Sequence, residues 1–166
     1  IIENKVPIPM SLKKLDAIDR RILAALQRQA DLSMGELAER VGLSTTPCWR
    51  RVKALEEAGV IRARVALLDP AAVGVGTTVF VAVRTANHSA EWLDRFAAAV
   101  RRFPEVVEFY RMSGEVDYML KVVVPDIPAF DRFYKRLIAS VDMTDVSSSF
   151  AMEEIKNTTE LPLDYL

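Results

Sequence analysis

Hydroxyl, aromatic and basic side chains are concentrated between residues 44 and 53 of this 166-residue chain. On a helix they would lie away from an apolar stripe formed by Cys48, Val52 and Leu55. Hydroxyls and backbone N–H groups at a helix N-terminus can bind phosphates, and Arg or Lys can reach base edges in the major groove. We therefore predict a DNA-binding surface that consists of Ser44, Thr45, Thr46, Trp49, Arg50, Arg51 and Lys53.

Residue types that catalyse reactions or bind metals are scarce. The chain has one cysteine, Cys48, and one histidine, His88, so they can form neither an intrachain disulfide nor a four-ligand zinc site. The sequence shows no phosphate-binding glycine loop and no evident Ser-His-Asp grouping. We predict that the protein is not an enzyme and uses no metal or cofactor. Cys48 is expected to act as a small buried hydrophobe and His88 as a loop residue.

Charge is distributed unevenly along the chain. Residues 1–64 carry 12 Lys/Arg and 8 Asp/Glu, a net charge of +4, whereas residues 65–166 carry 10 and 15, a net charge of −5. This asymmetry indicates that only the N-terminal part faces a polyanion. No apolar run reaches the roughly 18–20 residues that span a bilayer, and the start of the chain lacks a secretory pattern. A cytoplasmic protein is therefore expected.

Three helices are predicted around the DNA-binding surface. The first covers residues 15–29 and begins with an acidic cap. Ser33 and Glu36 form a capping box that opens the second helix, and Gly42 ends it. Ser44 is predicted to cap the third. A short basic helix can be an ordinary amphipathic helix with a solvated face, but a capped helix and a glycine turn before it indicate a helix-turn-helix.

A segment of different character joins the two halves of the chain. From Val60 to Leu68 apolar and polar residues alternate, which predicts a strand. The helix-turn-helix domain that precedes it is predicted to be winged-helix-like. Asp69-Pro70 and two nearby glycines then indicate a hinge. The predicted organisation is a flexible N-terminal arm at 1–14, a helix-turn-helix DNA-binding domain at 15–61, a linker strand and hinge at 62–76, and a second domain at 77–166.

The second domain is predicted to contain strands and helices in the order strand, helix, strand, strand, helix, strand. Two such halves form a four-stranded antiparallel sheet with both helices on one face, the ferredoxin-like βαββαβ plan, so the fold class is α+β. Apolar residues alternate on the other face, which is expected to pack against a second copy as a homodimer. The predicted strands are 77–85, 105–112, 116–124 and 146–155, and the helices begin after Ser89 and Asp126.

Four segments carry a resemblance to a known family: LDAIDRRILAALQ, LSTTPCWRRVKALEEAGVI, SGEVDYMLKVVV and DVSSSFAMEEIKNTTELPL. Together they resemble the Lrp/AsnC, or feast/famine, transcriptional regulators over about residues 15–163. The resemblance implies a DNA-binding helix-turn-helix joined to a ferredoxin-like effector-binding and oligomerisation domain. It implies dimers that assemble further, up to octamers. It also implies an amino acid or related metabolite that shifts assembly or DNA binding.

The resemblance also implies where an effector binds. In that family the site is built around a Gly-x-x-Asp-Tyr turn, next to the last strand of a neighbouring subunit. An Asp carboxylate can pair with an α-ammonium group, and turn N–H groups can hold an α-carboxylate. Alternatively, Gly114 only makes the turn and Asp117 only caps a strand end. The effector residues that the resemblance implies are Met112, Ser113, Gly114, Asp117, Tyr118, Ser147 and Ser149.

The partly apolar surroundings at Met112 and Tyr118 predict an effector with an uncharged side chain, either aliphatic or sulfur-containing. The predicted function is a sequence-specific, DNA-binding transcriptional regulator that responds to an amino acid or related small metabolite. Two alternatives stay open. One is an architectural DNA-binding protein without an effector. The other is a ferredoxin-like small-molecule enzyme, which the scarcity of catalytic residues disfavours.

Overall fold

A computed structural model describes residues 15–165. The flexible arm predicted at 1–14 lies outside the described residues. The described chain forms two compact units: one contains residues 15–66 and 156–165, and the other contains residues 67–155. The two units correspond to the predicted DNA-binding and effector-binding halves, except at the C-terminus.

The N-terminal unit contains three helices: α1 (Ala17–Arg28), α2 (Met34–Val41) and α3 (Thr45–Glu57). The predicted capping box at Ser33 is confirmed, since its hydroxyl accepts from Glu36 N–H and the Glu36 carboxylate accepts from Ser33 N–H. Gly42 ends α2 with φ 73°, a left-handed conformation in which a side chain is strained. The chain therefore turns sharply at Gly42 and begins α3 almost at once.

The inner faces of these helices share one hydrophobic core. Ile22 of α1, Leu37 and Val41 of α2, and Cys48 and Val52 of α3 are all almost completely buried. Burial raises the pKa of the Cys48 thiol, which keeps it protonated and unreactive. Cys48 is the small buried hydrophobe that was predicted. Because the core fixes which side of α3 faces inward, it also fixes which side faces solvent.

The C-terminal segment of the chain packs against α1. Gln27 holds the backbone of Leu161 in both directions, donating from Nε2 to its carbonyl at 3.3 Å and accepting its N–H at Oε1 at 2.7 Å. Arg28 pairs with Glu160 at 3.1 Å, and Leu163 packs on the core of the N-terminal unit. The prediction that the second domain runs to residue 166 is therefore wrong. That unit ends at Ile155, because the tail finds its partners on α1.

The strand predicted from Val60 to Leu68 is not present. Residues 62–69 have no regular secondary structure, and the apolar side chains of Val65, Leu67 and Leu68 are exposed. The alternating pattern favours a strand, but a strand also needs a neighbour whose N–H and C=O groups pair with its own. No described strand of this chain lies beside the segment.

The second unit contains the predicted order of elements. They are β1 (Thr77–Arg84), α4 (Ala90–Val100), β2 (Val106–Arg111), β3 (Tyr118–Val124), α5 (Ile127–Ile138) and β4 (Asp145–Phe150). The four strands form one antiparallel sheet in the order β2-β3-β1-β4, which confirms the ferredoxin-like plan. Ser89 and Asp126 cap α4 and α5 as predicted.

The last strand is shorter than predicted because its partner ends. Phe150 of β4 lies opposite Val79 of β1, and Ala151 N–H still donates to the Thr78 carbonyl at 3.0 Å. Since β1 begins at Thr77, the following residues have no strand to pair with. The prediction that the strand continues to Ile155 is therefore wrong.

The two faces of the sheet differ sharply. Val79, Val81 and Val83 point to the helix side and are buried with Phe96 of α4 and Phe133 of α5. The alternate positions of the strands point to the opposite face, which no described element of this chain covers. We call it the open face, and it includes Phe80, Ala82, Glu108, Tyr110, Met119, Lys121, Val123, Ser147 and Ser149.

Candidate DNA-binding surface and effector site

The outer side of α3 carries most of the predicted DNA-binding residues. Cys48, Val52 and Leu55 turn inward and are buried. The same helical geometry leaves Thr45, Thr46, Trp49, Arg50 and Lys53 exposed on the outside. The helix therefore presents two hydroxyls, an indole and two cations together, which are groups that can meet phosphates and base edges.

Ser44 occupies the N-cap of α3, but its hydroxyl makes no capping hydrogen bond, contrary to the prediction. An N-cap side chain usually accepts from the backbone N–H two or three residues later. The third residue here is Pro47, which has no N–H to donate. The Ser44 hydroxyl is exposed, and together with the open first turn of α3 it can donate to a phosphate.

Arg51 differs from its neighbours because it is bound within its own domain. Its Nη1 lies 2.7 Å from Asp16 Oδ2 and 2.8 Å from Asp19 Oδ1, both at the start of α1. Asp16 caps α1, and backbone N–H donation from Asp19 and the Arg51 guanidinium hold the pKa of its carboxyl below its usual value of 3.8. Arg51 therefore braces α3 against α1 rather than extending freely from the DNA-binding surface.

We expect Arg51→Met to lower the melting temperature by a few degrees at neutral pH, because the pair is partly exposed and so of modest strength. The effect depends on pH. The pKa of Asp16 is lower in the folded protein, so its ionised form stabilises the fold above about pH 4, and this contribution disappears as the pH falls through the lowered pKa. The difference between parent and variant should shrink accordingly in thermal unfolding followed by circular dichroism.

Arg50→Met is the matched control for this measurement. Arg50 is the preceding residue, is exposed, and makes no ion pair with any described residue. Its replacement should leave the melting temperature unchanged at every pH. An equal decrease in both variants would contradict the bracing role of Arg51.

The predicted effector turn lies between β2 and β3. Gly114 has φ 118°, a conformation that disfavours a side chain, and the turn is closed by Met112 N–H donating to the Asp117 carbonyl at 2.8 Å. The Asp117 carboxylate accepts from Thr85 N–H at 2.8 Å through Oδ2, and its Oδ1 lies 3.9 Å from His88 Nδ1. One carboxylate oxygen is thus engaged by the backbone, and the other faces a partly exposed side.

Thr85 and His88 were not predicted as part of this site. They come to Asp117 because β1 and β3 are antiparallel, with Val83 opposite Tyr118, so the end of β1 meets the start of β3. No local spacing in the sequence relates residues that lie about thirty positions apart. The alternation of β1 together with the position of the turn was the only signal available.

The remaining predicted effector residues are placed differently from one another. The Tyr118 ring is buried on the helix side, with its centroid 5.6 Å from Trp92 and 5.3 Å from Phe96. Ser147 and Ser149 lie on the open face, opposite Ala82 and Phe80 of β1. Met112 and Ser113 are exposed at the turn. Within one chain these residues do not line a single pocket, since Tyr118 and the two serines lie on opposite faces of the sheet.

Comparison with known proteins identifies the two units. Residues 15–62 match the winged helix-turn-helix DNA-binding family, and residues 78–161 match the Lrp/AsnC ligand binding domain. The chain belongs to the Lrp/AsnC family. It is a transcriptional regulator with a DNA-binding helix-turn-helix and a ligand-binding domain. The family resemblance and the fold class inferred from the sequence are confirmed.

Relatives in the Lrp/AsnC family cover nearly the whole chain. The DNA-binding transcriptional activator DecR of Escherichia coli strain K12 is 53% identical over 151 residues, covering 90% of this chain and 99% of that protein. An AsnC family regulator from Agrobacterium tumefaciens has a similar structure, with TM-score 0.88 and 65% identity over 91% of this chain and 99% of that one. A Neisseria meningitidis regulator in complex with L-methionine gives TM-score 0.87 and 41% identity over 91% and 98%.

These Lrp/AsnC relatives are transcriptional regulators. Within residues 15–165, no helix is both long enough and apolar enough to cross a membrane. A hollow of about 370 Å³ in the second unit lies between α5 and β4 and is lined by Tyr134, Ile138 and Met143 among others. Neither Gly114 nor Asp117 lines this hollow, and Gly114 is exposed.

Proposed function

We propose that this regulator binds DNA as a dimer through the outer side of α3 and that an amino acid bound at the Gly114 turn changes its assembly or its DNA affinity. The observation that carries the proposal is the Asp117 carboxylate. It is fixed by Thr85 N–H on one oxygen and is partly exposed beside a turn in which Gly114 leaves open space. An α-ammonium group can pair with such a carboxylate, and turn N–H groups can bind an α-carboxylate.

The open face of the sheet supports the dimer. Phe80 and Tyr110 are exposed there, and Met119 and Val123 are only half-buried. Apolar surface of this kind is stabilised when a second copy covers it. The charged residues on the same face already pair, since Lys121 Nζ lies 3.4 Å from Glu108, so they can be buried at lower cost. Further assembly toward an octamer would bring the last strand of a neighbouring subunit to the Gly114 turn.

The DNA contacts that we propose are Ser44, Thr45, Thr46, Trp49, Arg50 and Lys53. Arg51 contributes by positioning α3. We propose that the protein acts in the cytoplasm, because its proposed function is to bind DNA.

The proposed effector is an amino acid with an uncharged side chain, and L-methionine is the first to test. Two structurally similar regulators, from Neisseria meningitidis and Mycobacterium tuberculosis, were solved with L-methionine. The exposed Met112 side chain supplies apolar, polarisable surface beside the turn.

The test has two arms on the full-length protein. The twenty amino acids are screened by thermal unfolding, where a ligand at one hundred times its Kd stabilises the folded state by about 2.7 kcal/mol. DNA binding is then measured over a range of salt concentrations with and without the amino acid that stabilises most. We expect affinity to fall steeply with salt and to change on adding that amino acid. DNA binding without a response to any amino acid would instead indicate an architectural protein.

A further inference from the structure

Trp49 is an unusual surface residue of the DNA-binding unit. Within helices α1, α2 and α3 it is the one large apolar side chain that is exposed, at 52%. Thr45, Trp49 and Lys53 are spaced four residues apart and therefore form one row along the outside of α3. The indole thus lies one turn into α3, between the Thr45 hydroxyl and the Lys53 ammonium group.

The second tryptophan of the chain, at position 92, stabilises the fold and serves as a comparison for Trp49. Trp92 is 2% exposed, donates from Nε1 to the Asp142 carbonyl at 2.9 Å, and packs with its ring centroid 5.0 Å from that of Phe96. Within the part of the chain that the structure describes, Trp49 makes no comparable hydrogen bond or ring contact, and it is not part of the core of its unit. Its ring therefore contributes little to the fold.

The chemistry of the major groove indicates what such a ring can recognise. Phosphates and most base edges are polar and offer an apolar ring no favourable burial. The apolar group exposed in the major groove is the C5-methyl of thymine, which apolar side chains contact directly. N-terminal residues of a recognition helix reach base edges, while basic residues beside them bind phosphates. Arg50 and Lys53 supply the basic neighbours here.

We propose that Trp49 reads thymine methyl groups in the operator and so is a specificity-determining residue. This inference rests on the proposed function, because it requires α3 to lie in the major groove. Burial of one methyl corresponds to a factor of about four in affinity. Trp49 should therefore set a preference for thymine at specific positions and contribute little to binding of unrelated DNA.

The test replaces thymine by deoxyuridine, which removes only the methyl group. Duplexes are first selected from a random-sequence pool with the full-length protein, and their thymines are then replaced one at a time. We expect at least one replacement in each half-site to weaken binding by the parent about fourfold. Trp49→Ala should bind the thymine and uracil duplexes equally. Its affinity for an unselected duplex should fall by a smaller factor than its affinity for the selected thymine duplex.

Two further variants distinguish recognition of the thymine methyl by the Trp49 ring from a general loss of DNA contacts. Trp49→Phe removes the indole N–H but keeps an aromatic ring, so it should retain a preference for thymine over uracil. Lys53→Ala should weaken binding to both duplexes by the same factor, because it removes a phosphate contact. Ala has a high helix propensity and position 49 is exposed, so Trp49→Ala should fold normally in circular dichroism.

Several results would overturn the inference: a selected consensus without thymine, a parent protein indifferent to every deoxyuridine replacement, or the same uracil penalty in Trp49→Ala as in the parent. In each of these cases sequence selection itself would still support the proposed function. If the parent selects no sequence at all, both the proposed function and the role of Trp49 are wrong.

Discussion

Replacing Arg50 and Lys53 together by alanine is expected to weaken operator binding by about 100-fold at physiological salt. Both cations are exposed on the outer side of α3 and make no ion pair with any described residue, so they are available for DNA. Each lost contact of this kind corresponds to roughly a factor of ten, and each lost phosphate contact lowers the slope of log affinity against log salt by about one. Fluorescence anisotropy of a labelled operator duplex at several salt concentrations measures both quantities.

The matched control removes the same charge from the other unit. Arg102, two residues after α4, and Arg132, on α5, are exposed, and their replacement by alanine should leave both the affinity and the salt slope nearly unchanged. Equal losses in the two double variants would mean that overall charge, rather than the outer side of α3, determines binding. An unchanged affinity in the Arg50, Lys53 variant would exclude α3 as the DNA-binding helix.

Asp117→Asn is expected to remove most of the response at the effector concentration that half-saturates the parent. The amide oxygen of Asn can still accept from Thr85 N–H, as Asp117 Oδ2 does at 2.8 Å, so the turn keeps its geometry. Only the negative charge is removed. A hydrogen bond to a charged group contributes about 1.5–3 kcal/mol, which raises the half-saturating concentration about 10- to 100-fold. Thermal unfolding titrated with L-methionine, or with the best amino acid of the screen, measures this shift.

Glu115→Gln is the control for this change, because it removes a charge from the same turn. The Glu115 side chain is 93% exposed and lies 3.6 Å from Arg84. Its loss should leave effector affinity unaltered. Both variants should bind operator DNA like the parent in the absence of effector. If Asp117→Asn responds at the parent's concentration, the effector binds elsewhere and Asp117 serves only to cap the end of β1.

Features that depend on neighbouring residues could be predicted from the sequence. The capping box of Ser33 and Glu36 and the left-handed turn at Gly42 are set within a few residues of chain. Alternation and helical period likewise predicted the order of elements of the second unit. The family resemblance drew attention to the Gly114 turn, which the structure places between two adjacent strands. Each of these signals has a period or spacing that short-range geometry dictates.

Predictions from local sequence patterns were wrong where the predicted element also needed a hydrogen-bonding partner from elsewhere. The alternating residues 60–68 form no strand, because no described strand of the chain lies beside them, and β4 ends at Phe150 because β1 provides no further partner. Ser44 has the residue type of a cap but makes no capping hydrogen bond, and one of its two usual donors is missing because Pro47 has no N–H. In that last case the information was present in the sequence, in the spacing between Ser44 and Pro47.

What the sequence by itself determined was therefore the set of elements, the inward and outward sides of each helix, and the class of protein. Only the tertiary structure determined which charged side chains pair with other residues of the chain. It joined Arg51 to Asp16 and Asp19, and it brought Thr85 and His88 to Asp117. The physical reason is that these pairs lie about thirty residues apart. Their meeting depends on the packing of whole helices and the register of paired strands, and no local pattern records either one.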